Sequence, residues 1–398
     1  MKILISLPVE HPEFSSIDDL INGTASCSGT IGSIVRLAYS LSSSGYQIYL
    51  SAASKTRSKI LSCIQHHFVE GTEFDYLIVH QSHWDGFQLS FRNHNLPKTI
   101  IWLQNQTSWS FVHSFLEKGG RQVVVPSRYH ANIYRALSGW RNKVVVIHNS
   151  YCSTFTPTVQ DRQPILLFIG AITPNKGFIE LMQLWLYLVQ KQVDLQLAIA
   201  GSISLHKGSS VKTGALNVAE ADFEHNYVEP WFKALPSSYK PHFLGALPPN
   251  QLCTEISRSW AVIVNPSWAC AETFCVSAVD AQACDRTVFS VAVGGLKETV
   301  YQGAFQSLSQ KHNINVLGDC IIKGLFSKEL VENNSRLAGE FVRTRFSTQT
   351  ISKSWIQLLS GEIPEENLHK RWETPRDLAC DLMRFTRTGM LIKKYLSS

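Results

Sequence analysis

The sequence predicts an α/β protein made of two doubly wound parallel sheets. Short apolar runs alternate with amphipathic stretches along the chain, which is the pattern of repeated strand–helix units. A polar segment rich in Thr, Pro and Gln interrupts this series at residues 153–164, and the series then resumes. The 398 residues are enough for two domains with separate cores. We therefore predict an N-terminal domain over residues 1–152 and a C-terminal domain over residues 153–375.

The elements of both domains follow from the position of the apolar runs. Strands of the first domain are predicted at residues 2–7, 47–51, 76–80, 99–103, 122–126 and 143–147, with helices at 34–43 and 129–137. Strands of the second domain are predicted near Ile165, Leu195, His242, Trp260 and Thr287. The irregular segment 202–239 is longer than an ordinary connection, so it predicts either a mostly helical insertion or a mobile loop.

Composition narrows the class of protein. Hydrophobic residues make up 44% of the chain and charged residues 17%, which is typical of a globular protein. The net charge of +6 permits attraction to anionic nucleotides or to a membrane surface. No basic run is interleaved with aromatic residues, so we expect no nucleic-acid partner.

The cysteines and the apolar segments indicate the cellular compartment of the protein and its relation to the membrane. The nine cysteines have no CxxC spacing, which favours thiols in a reducing cytosol. The opening MKILISLP is predicted to be a strand, because its apolar stretch is shorter than that of a signal peptide. No uninterrupted apolar run approaches the length of a membrane span. We expect a cytoplasmic protein, either soluble or peripheral at the inner face of the membrane.

The segment 265–300, NPSWACAETFCVSAVDAQACDRTVFSVAVGGLKETV, carries the candidate site. Glu272 and Asp280 lie eight residues apart across a predicted strand-to-helix junction. A helix opening at residues 273–276 directs free amides out of the carboxyl edge of the sheet, where anions bind. Amides for a diphosphate, with one carboxylate for sugar hydroxyls and one for a ribose, predict a sugar-nucleotide site. The alternative is that Glu272 is a helix cap and Asp280 a solvated surface residue.

This segment resembles the donor-site signature of the family 4 retaining glycosyltransferases. Further stretches resemble motifs of that family in the same order: SGTIG at 28–32, IHN at 147–149, LLFIGAITPNKG at 166–177, LQLAIAG at 195–201, HFLGAL at 242–247 and RFSTQTISKSWIQLL at 345–359. The last of these resembles the terminal helix that closes the second domain. The resemblance implies the GT-B architecture, in which two Rossmann-like domains face each other across a cleft. In that architecture a last helix, here 376–398, is expected to pack back on the first domain.

The resemblance implies transfer of a hexose from a nucleoside diphosphate sugar with retention of configuration. UDP-glucose is the first expectation for the donor and GDP-mannose the second. The acceptor is expected to be a glycan or a lipid-linked sugar in cell-envelope or extracellular polysaccharide synthesis. Neither a cofactor nor a metal is expected, because the leaving diphosphate itself helps to deprotonate the acceptor in such enzymes.

The resemblance also assigns roles to residues of this chain. Lys176, Glu272 and Gln104 are the expected catalytic residues. The expected donor-binding residues are Gly170, Lys176, Glu272, Thr273, Phe274, Cys275, Val276 and Asp280. The expected acceptor and phosphate loop residues are Gly29, Thr30, Gly32 and His80. As a metal site, His80 and His83 lack a clear third ligand.

Three departures from the family pattern bear on activity. Ala171 stands where the family usually has an arginine that neutralises the diphosphate, Gln104 stands where many members have a histidine, and Asp280 replaces a glutamate. If the site is compensated, the missing cation is expected from Arg128 or Lys297. The alternatives are a GT-B protein that binds a sugar nucleotide without transferring it, and an epimerase or phosphorylase on the same fold.

The C-terminal tail has two alternative interpretations. The stretch after Pro375 has apolar residues at helical spacing, and it carries basic residues at Arg384, Arg387, Lys393 and Lys394. Such residues either form a solvated helix face or contact anionic lipid.

Overall fold

The computed structural model of the protein describes residues 1–8, 16–52, 57–65, 69, 71–135, 142–158, 161–202 and 212–364. Its first sheet has seven parallel strands in the order β3-β2-β1-β4-β5-β6-β7. The strands are β1 (Lys2–Ser6), β2 (Gln47–Ala52), β3 (Ser62–Gln65), β4 (Tyr76–His80), β5 (Thr99–Trp102), β6 (Gln122–Val125) and β7 (Val144–Val146). The sequence predicted all of these except β3, which is a partly exposed edge strand without a continuous apolar run.

Helices cover both faces of this sheet, with one apolar cluster on each face. They are α1 (Ile17–Ile21), α2 (Gly29–Ser43), α3 (Gln81–Trp84), α4 (Leu89–Asn95), α5 (Trp109–Glu117) and α6 (Arg128–Tyr134). Helix α2 begins five residues before its predicted start at Ile34, because the Ser28 hydroxyl accepts a hydrogen bond from the Ile31 amide and caps the helix.

The second sheet has six parallel strands in the order β10-β9-β8-β11-β12-β13. Its strands are β8 (Gln163–Ile169), β9 (Gln196–Ala200), β10 (His242–Gly245), β11 (Ser259–Ile263), β12 (Val288–Val291) and β13 (Leu308–Ser309). Its helices are α7 (Phe178–Gln190), α8 (Ala221–Phe223), α9 (Glu229–Ala234), α10 (Pro249–Arg258), α11 (Val276–Ala283), α12 (Leu296–Thr299), α13 (Ile314–Phe326) and α14 (Lys328–Arg345). Two doubly wound parallel sheets confirm the predicted fold class. The boundary predicted at residue 152 falls between β7 and β8 and stays a prediction.

The insertion in the second domain is helical over much of its described part. A π-helical turn, Glu224–Val228, joins α8 to α9. The buried Glu224 carboxylate accepts hydrogen bonds from the amides of Val218 and Ala219, at 2.8 and 2.9 Å, and so fixes the preceding loop. The helical alternative is therefore confirmed here, and residues 203–211 lie outside the described part.

The last described helix, α15 (Thr348–Leu359), packs on the first domain. Ile351, Trp355 and Leu358 join the apolar cluster beneath α2, and the rings of Trp355 and Trp102 lie 4.9 Å apart. The expectation that this segment closes the second domain is therefore wrong, because its apolar face is complementary to the first sheet. The predicted helix 376–398, with its four basic residues, lies outside the described residues.

Candidate active site in the interdomain cleft

A cleft between the two domains is lined by residues that follow the carboxyl ends of strands. Gln104 follows β5, Asn149 follows β7, Gly170 follows β8 and Asn265 follows β11. The cleft has two halves that share seven residues: Ser28, Gly29, Ile169, Gly170, Ala171, Val276 and Ser277. This edge is where parallel sheets bind ligands.

We name the two halves by their basic residues. The lysine half, of about 260 Å³, contains Lys176 and Glu272. The arginine half, of about 150 Å³, contains Arg36 and Asp280. Glu272 and Asp280 therefore line one continuous cleft, as expected, but they lie in different halves of it.

Lys176 and Glu272 form an ion pair in the lysine half. The Lys176 ammonium donates to both Glu272 oxygens, at 2.8 and 3.0 Å. The Asn265 amide donates to Glu272 Oε1 at 3.1 Å. Burial lowers the pKa of Lys176, but the Glu272 carboxylate more than offsets this and holds the pKa above its usual value. Lys176 is therefore charged at neutral pH.

Gly177 allows the lysine loop to approach Asn265. Its backbone is left-handed, with φ of 73°. A Cβ at this position would lie 2.8 Å from Asn265 Oδ1, so a side chain here would clash as well as strain the backbone. Glycine after the lysine is therefore explained by the structure. Gly177 allows the loop to come close enough for Lys176 to contact the Glu272 carboxylate.

Gln104 lies in the lysine half, but its side chain is fully engaged. The amides of Gln104 and Asn149 exchange two hydrogen bonds, at 3.1 and 2.8 Å, and Gln104 is buried. The neighbouring Asn105 is exposed and also lines this half. From the first domain, Asn105 is the more accessible of these two residues to a ligand.

Two helix N-termini meet across the cleft. Helix α2 starts at Gly29 and α11 starts at Val276, and a Cβ on Gly29 would lie 3.1 Å from the Val276 Cβ. Neither helix has an acidic residue in its first turn. Each N-terminus carries about half a positive elementary charge. The meeting point is therefore suited to an anion.

The start of α11 differs from the prediction. The helix begins at Val276 rather than at residue 273, because Cys275 adopts a left-handed conformation with φ of 69°. The Ala278 amide donates to the Cys275 carbonyl at 3.2 Å. Of the first-turn residues of α11, Val276 and Ser277 line the cleft. Thr273, Phe274 and Cys275 also line the lysine half, and their role in donor binding stays a prediction.

The arginine half holds a buried carboxylate. Asp280 is 9% exposed, and its Oδ1 accepts a hydrogen bond from the Cys152 amide at 3.3 Å. Burial raises the pKa of Asp280 to about 7, against the opposing effect of the Arg36 guanidinium. The alternative that Asp280 is a solvated surface residue is therefore wrong. The apolar wall of this half consists of Phe155, Ile169, Leu247, Pro249 and Leu252.

Arg36 is the functional candidate that sequence reasoning missed. It lies on α2 one turn after Gly32, and i, i+4 residues share a helix face. That spacing was the available signal. Arg128 and Lys297, the expected compensating cations, are not among the described residues that line the cleft. The Arg128 amide is instead bonded to Glu298, and Lys297 is exposed on α12.

The loop residues of the first domain divide in the same way. Thr30 lines the lysine half, Gly32 lines the arginine half, and Gly29 lines both. His80 is buried at the end of β4, where its ring caps α3 by accepting from the Ser82 amide at 3.3 Å. Burial lowers the pKa of His80 to about 4, so the ring is neutral. His80 is not among the described residues that line the cleft.

Comparison with known proteins agrees with this geometry. Residues 154–341 match the family model described as glycosyl transferases group 1. This part of the chain, just under half of its length, is similar to that family. The matched region runs from the linker to α14 and includes both Lys176 and Glu272. No curated protein sequence matches the chain.

Solved structures resemble the fold of this chain over about nine tenths of its length. Sucrose-phosphate synthase from Thermosynechococcus elongatus is 16% identical, with a TM-score of 0.67 over 91% of this chain and 98% of that one. HepE from Anabaena, in complex with UDP-glucose, is 14% identical, with a TM-score of 0.66 over 91% of this chain and 100% of that one. WaaG, a glycosyltransferase involved in lipopolysaccharide biosynthesis, is 10% identical, with a TM-score of 0.62 over 90% and 100%. These likenesses confirm the GT-B fold.

The described part of the protein bears on membrane contact and on metal binding. None of its described helices is long and apolar enough to cross a membrane. Within the same residues, no group of three or more His, Cys, Asp or Glu side chains is arranged to hold a metal ion.

Proposed function

We propose that the protein is a retaining glycosyltransferase that moves a hexose from a nucleoside diphosphate sugar to a hydroxyl of a glycan or lipid-linked sugar. UDP-glucose is the first candidate donor. The sugar would lie in the lysine half and the nucleoside in the arginine half. The diphosphate would lie on the residues that the two halves share.

The observation that carries this proposal is the meeting of two helix N-termini beside the Lys176–Glu272 pair. The first-turn amides of α2 and α11 offer hydrogen-bond donors and partial positive charge at one point. Lys176 adds a full positive charge within the same half. Glu272 adds an acceptor for sugar hydroxyls. Positive charge from the helix N-termini and Lys176 therefore lies beside the negative charge of Glu272. This arrangement is complementary to a diphosphate joined to a sugar.

In the proposed reaction, the bond between the anomeric carbon and the phosphate oxygen breaks. A bond from the acceptor oxygen to the same carbon forms on the same face, and the acceptor proton passes to the leaving phosphate oxygen. Lys176 and the amides of Val276 and Ser277 stabilise the charge that grows on the diphosphate. Glu272 holds the sugar hydroxyls in place, and Asp280 accepts from the ribose.

Two structural relatives support the choice of donor. HepE was solved with UDP-glucose and also with UDP and glucose. TarM of S. aureus was solved with UDP, with a TM-score of 0.52 over 74% of this chain and 57% of that one. A uridine donor in this chain rests on that likeness, and GDP-mannose remains the second candidate. Cell-envelope or extracellular polysaccharide synthesis and a cytoplasmic site of action remain predictions from the sequence.

A donor and acceptor screen tests the proposal. The purified protein is incubated with UDP-glucose or GDP-mannose and with soluble glycans or lipid-linked sugars, and release of the nucleoside diphosphate is measured. The expected result is release that depends on an acceptor, with an α-linked product by NMR. Binding of donors without any acceptor-dependent release would contradict transfer. The absence of nucleotide binding would contradict the donor site itself.

One alternative has a specific observation in its favour. Gln104 is bonded to Asn149 and Lys176 to Glu272, so these side chains must rearrange or be shared when a donor binds. A protein that binds sugar nucleotides without transferring the sugar would not need such freedom. The same screen separates the two functions, because only a transferase releases nucleoside diphosphate in response to an acceptor.

The proposal involves no metal and no cofactor. The negative charge of the diphosphate is met by protein groups, namely Lys176 and the two helix N-termini. We expect transfer to continue at an unchanged rate after treatment with EDTA. Loss of activity on chelation that manganese or magnesium restores would contradict this part of the proposal.

A further inference from the structure

The charges that line the cleft are few. Of the described residues in its two halves, the basic ones are Lys176 and Arg36, and the acidic ones are Glu272 and Asp280. Lys176 is already paired with Glu272 at 2.8 Å. Among the described lining residues, Arg36 is therefore the one basic side chain that a nucleoside diphosphate meets without a carboxylate already bonded to it.

Arg36 is fixed by uncharged groups. Its Nη2 donates to the Ser150 carbonyl at 2.8 Å and to the Ser33 hydroxyl at 3.3 Å, and its Nε donates to the Ser150 hydroxyl at 3.2 Å. Among the described residues, no hydrogen bond of Nη1 occurs. Ser150 is buried in the segment that follows β7. The guanidinium is thus held in one orientation with one nitrogen left for a ligand.

Gly32 gives Arg36 its place at the cleft. A Cβ on Gly32 would lie 2.8 Å from Arg36 Nη1. A side chain at this position would therefore push the guanidinium away from its present site. Gly32 lines the same half of the cleft.

Asp280 does not neutralise Arg36 by direct contact. No ion pair between the two occurs among the described residues, and the bond to Asp280 at 3.3 Å comes from the Cys152 amide. Burial also raises the pKa of Asp280 to about 7, so a large fraction of this carboxyl group is neutral at physiological pH. The positive charge of Arg36 is left for another anion.

We propose that Arg36 binds the phosphate attached to the ribose of the donor, while Lys176 serves the phosphate attached to the sugar. The inference rests on the proposed function, since it assumes that the nucleoside occupies the arginine half. Arg36 comes from the first domain and Lys176 from the second, so the two phosphates are held from opposite sides of the cleft. Arg36 is then a donor-binding residue that also joins the two domains around the ligand.

Calorimetry with uridine, UMP and UDP tests this assignment. UMP carries only the phosphate on the ribose, so Arg36→Gln should weaken both UMP and UDP about tenfold or more, the size of one lost hydrogen bond to a charged group. Lys176→Gln should weaken UDP but leave UMP within about twofold. Uridine should bind equally to all three proteins. Arg336→Gln, which removes the same charge from an arginine that is 57% exposed, is the control and should change nothing.

Two outcomes are distinguishable. If the wild-type protein binds none of the uridine or guanosine nucleotides, the proposed function fails. If it binds UDP but folded Arg36→Gln binds UMP as tightly as wild type does, only the Arg36 assignment is overturned.

A second variant tests the role of Arg36 even if Arg36→Gln does not fold. Gly32→Ala keeps every charge and favours the helix, because alanine has the higher helix propensity. We expect it to weaken UMP by displacing the guanidinium, and to have no further effect in the Arg36→Gln background. An equal loss of affinity in both backgrounds would show that the methyl group blocks the ligand directly, and would overturn the role of Gly32 in placing Arg36.

Discussion

At the scale of single residues, Glu272 has two partners that constrain it. Lys176 holds both of its oxygens, and Asn265 donates to one of them. A sugar hydroxyl that bonds to Glu272 must share the carboxylate with these donors. The ion pair therefore sets the position of the carboxylate before a sugar is bound, which lowers the cost of organising the site.

We predict that Glu272→Gln separates transfer from nucleotide binding. The amide keeps the shape of the side chain but no longer neutralises Lys176. Turnover with UDP-glucose should fall by about 100-fold or more, as for the loss of one preorganised polar group. Affinity for UDP should stay the same or rise, because the Lys176 charge becomes available to phosphate. Product release assays and calorimetry measure the two quantities, and unchanged turnover would show that Glu272 does not contact the sugar.

Asp280 supports a prediction about pH. Its pKa is about 7 in the folded protein and 3.8 in the ordinary carboxyl group. Between these values the folded state binds more protons than the unfolded state, so this residue makes the protein less stable as the pH rises. The penalty is absent below pH 4 and complete above pH 7.

Asp280→Asn should remove this dependence. The neutral amide has the same shape but does not titrate. The free energy of unfolding of the variant should therefore rise relative to that of wild type as the pH is raised from 5 to 8. The upper limit of this gain is ~1.4 kcal/mol for each unit of the pKa shift. Arg36 and the Cys152 amide face the group in both proteins, and titrations elsewhere cancel in the comparison. Thermal unfolding at three pH values measures the difference. A difference that is constant with pH would contradict a buried, titrating Asp280.

Residue roles were predictable only where the sequence fixes the local backbone. Glu272 and Lys176 were assigned to one site by the resemblance of their segments to family motifs, and the structure places them after two paired strands, β11 and β8. Arg36 was missed because nothing in α2 itself shows that Ser150 lies within hydrogen-bond distance. The engagement of Gln104 by Asn149 was missed for the same reason, since it joins residues 45 positions apart.

At the scale of elements, a carboxylate of the second domain caps a helix of the first. Glu298, at the end of the GGLKE stretch on α12, accepts hydrogen bonds from the amides of Arg128 and Tyr129 at 3.0 and 2.9 Å. His148 lies 3.5 Å from the same carboxylate. Burial raises the pKa of Glu298, but His148 and the two amides outweigh it and lower the pKa below its usual value. The carboxylate is therefore charged and holds the start of α6.

We predict that Glu298→Ala loosens the contact between the domains at α6. Loss of the cap should cost about 1–2 kcal/mol, and hydrogen exchange should quicken at the amides of Arg128 and Tyr129. Glu340→Ala is the matched control, because Glu340 is 54% exposed and pairs with Arg336 on the same helix. Its loss should cost less than about 0.5 kcal/mol. Equal protection of the two α6 amides in wild type and Glu298→Ala would contradict the capping role.

Element positions in this chain were predicted well for buried strands and poorly at edges. Continuous apolar runs correctly predicted the strands β1, β4, β5, β8 and β11. Strands that are buried on both faces consist mainly of apolar residues, so such runs are a clear signal. The edge strand β3 has no such run. The start of α11 was placed three residues early because the left-handed turn at Cys275 is rare for a residue other than glycine.

At the scale of the whole molecule, a helix that follows the second domain in sequence packs on the first domain. Helix α15 follows α14 of the second domain, yet its apolar residues belong to the core beneath α2. The periodicity of Ile351, Trp355 and Leu358 predicts a helix with one apolar face. It does not show which sheet that face covers, because either core offers an apolar surface of similar character. For this reason a C-terminal helix was correctly expected to pack on the first domain, but residues 376–398 were predicted to form it instead of residues 348–359.

The last prediction concerns this return. Trp355 is fully buried and packs edge to face on Trp102. Trp355→Ala should destabilise the protein by about 3–5 kcal/mol, as large-to-small changes of buried aromatic residues do. The loss should appear first in the first domain, although the mutated helix follows the second in sequence. Lys353→Ala, on the exposed face of the same helix, should cost less than about 0.5 kcal/mol.

Hydrogen exchange under mild denaturant identifies the domain that opens. Peptides of β1 and α2 should lose protection in Trp355→Ala before peptides of β8 and α7 do, because the cavity lies between α15 and the first sheet. Loss of protection confined to β8 and α7 would place α15 in the second core and contradict the crossover. If the predicted order holds, a fragment that ends at residue 152 lacks part of its own core. The first domain would then need residues 348–359 to be stable.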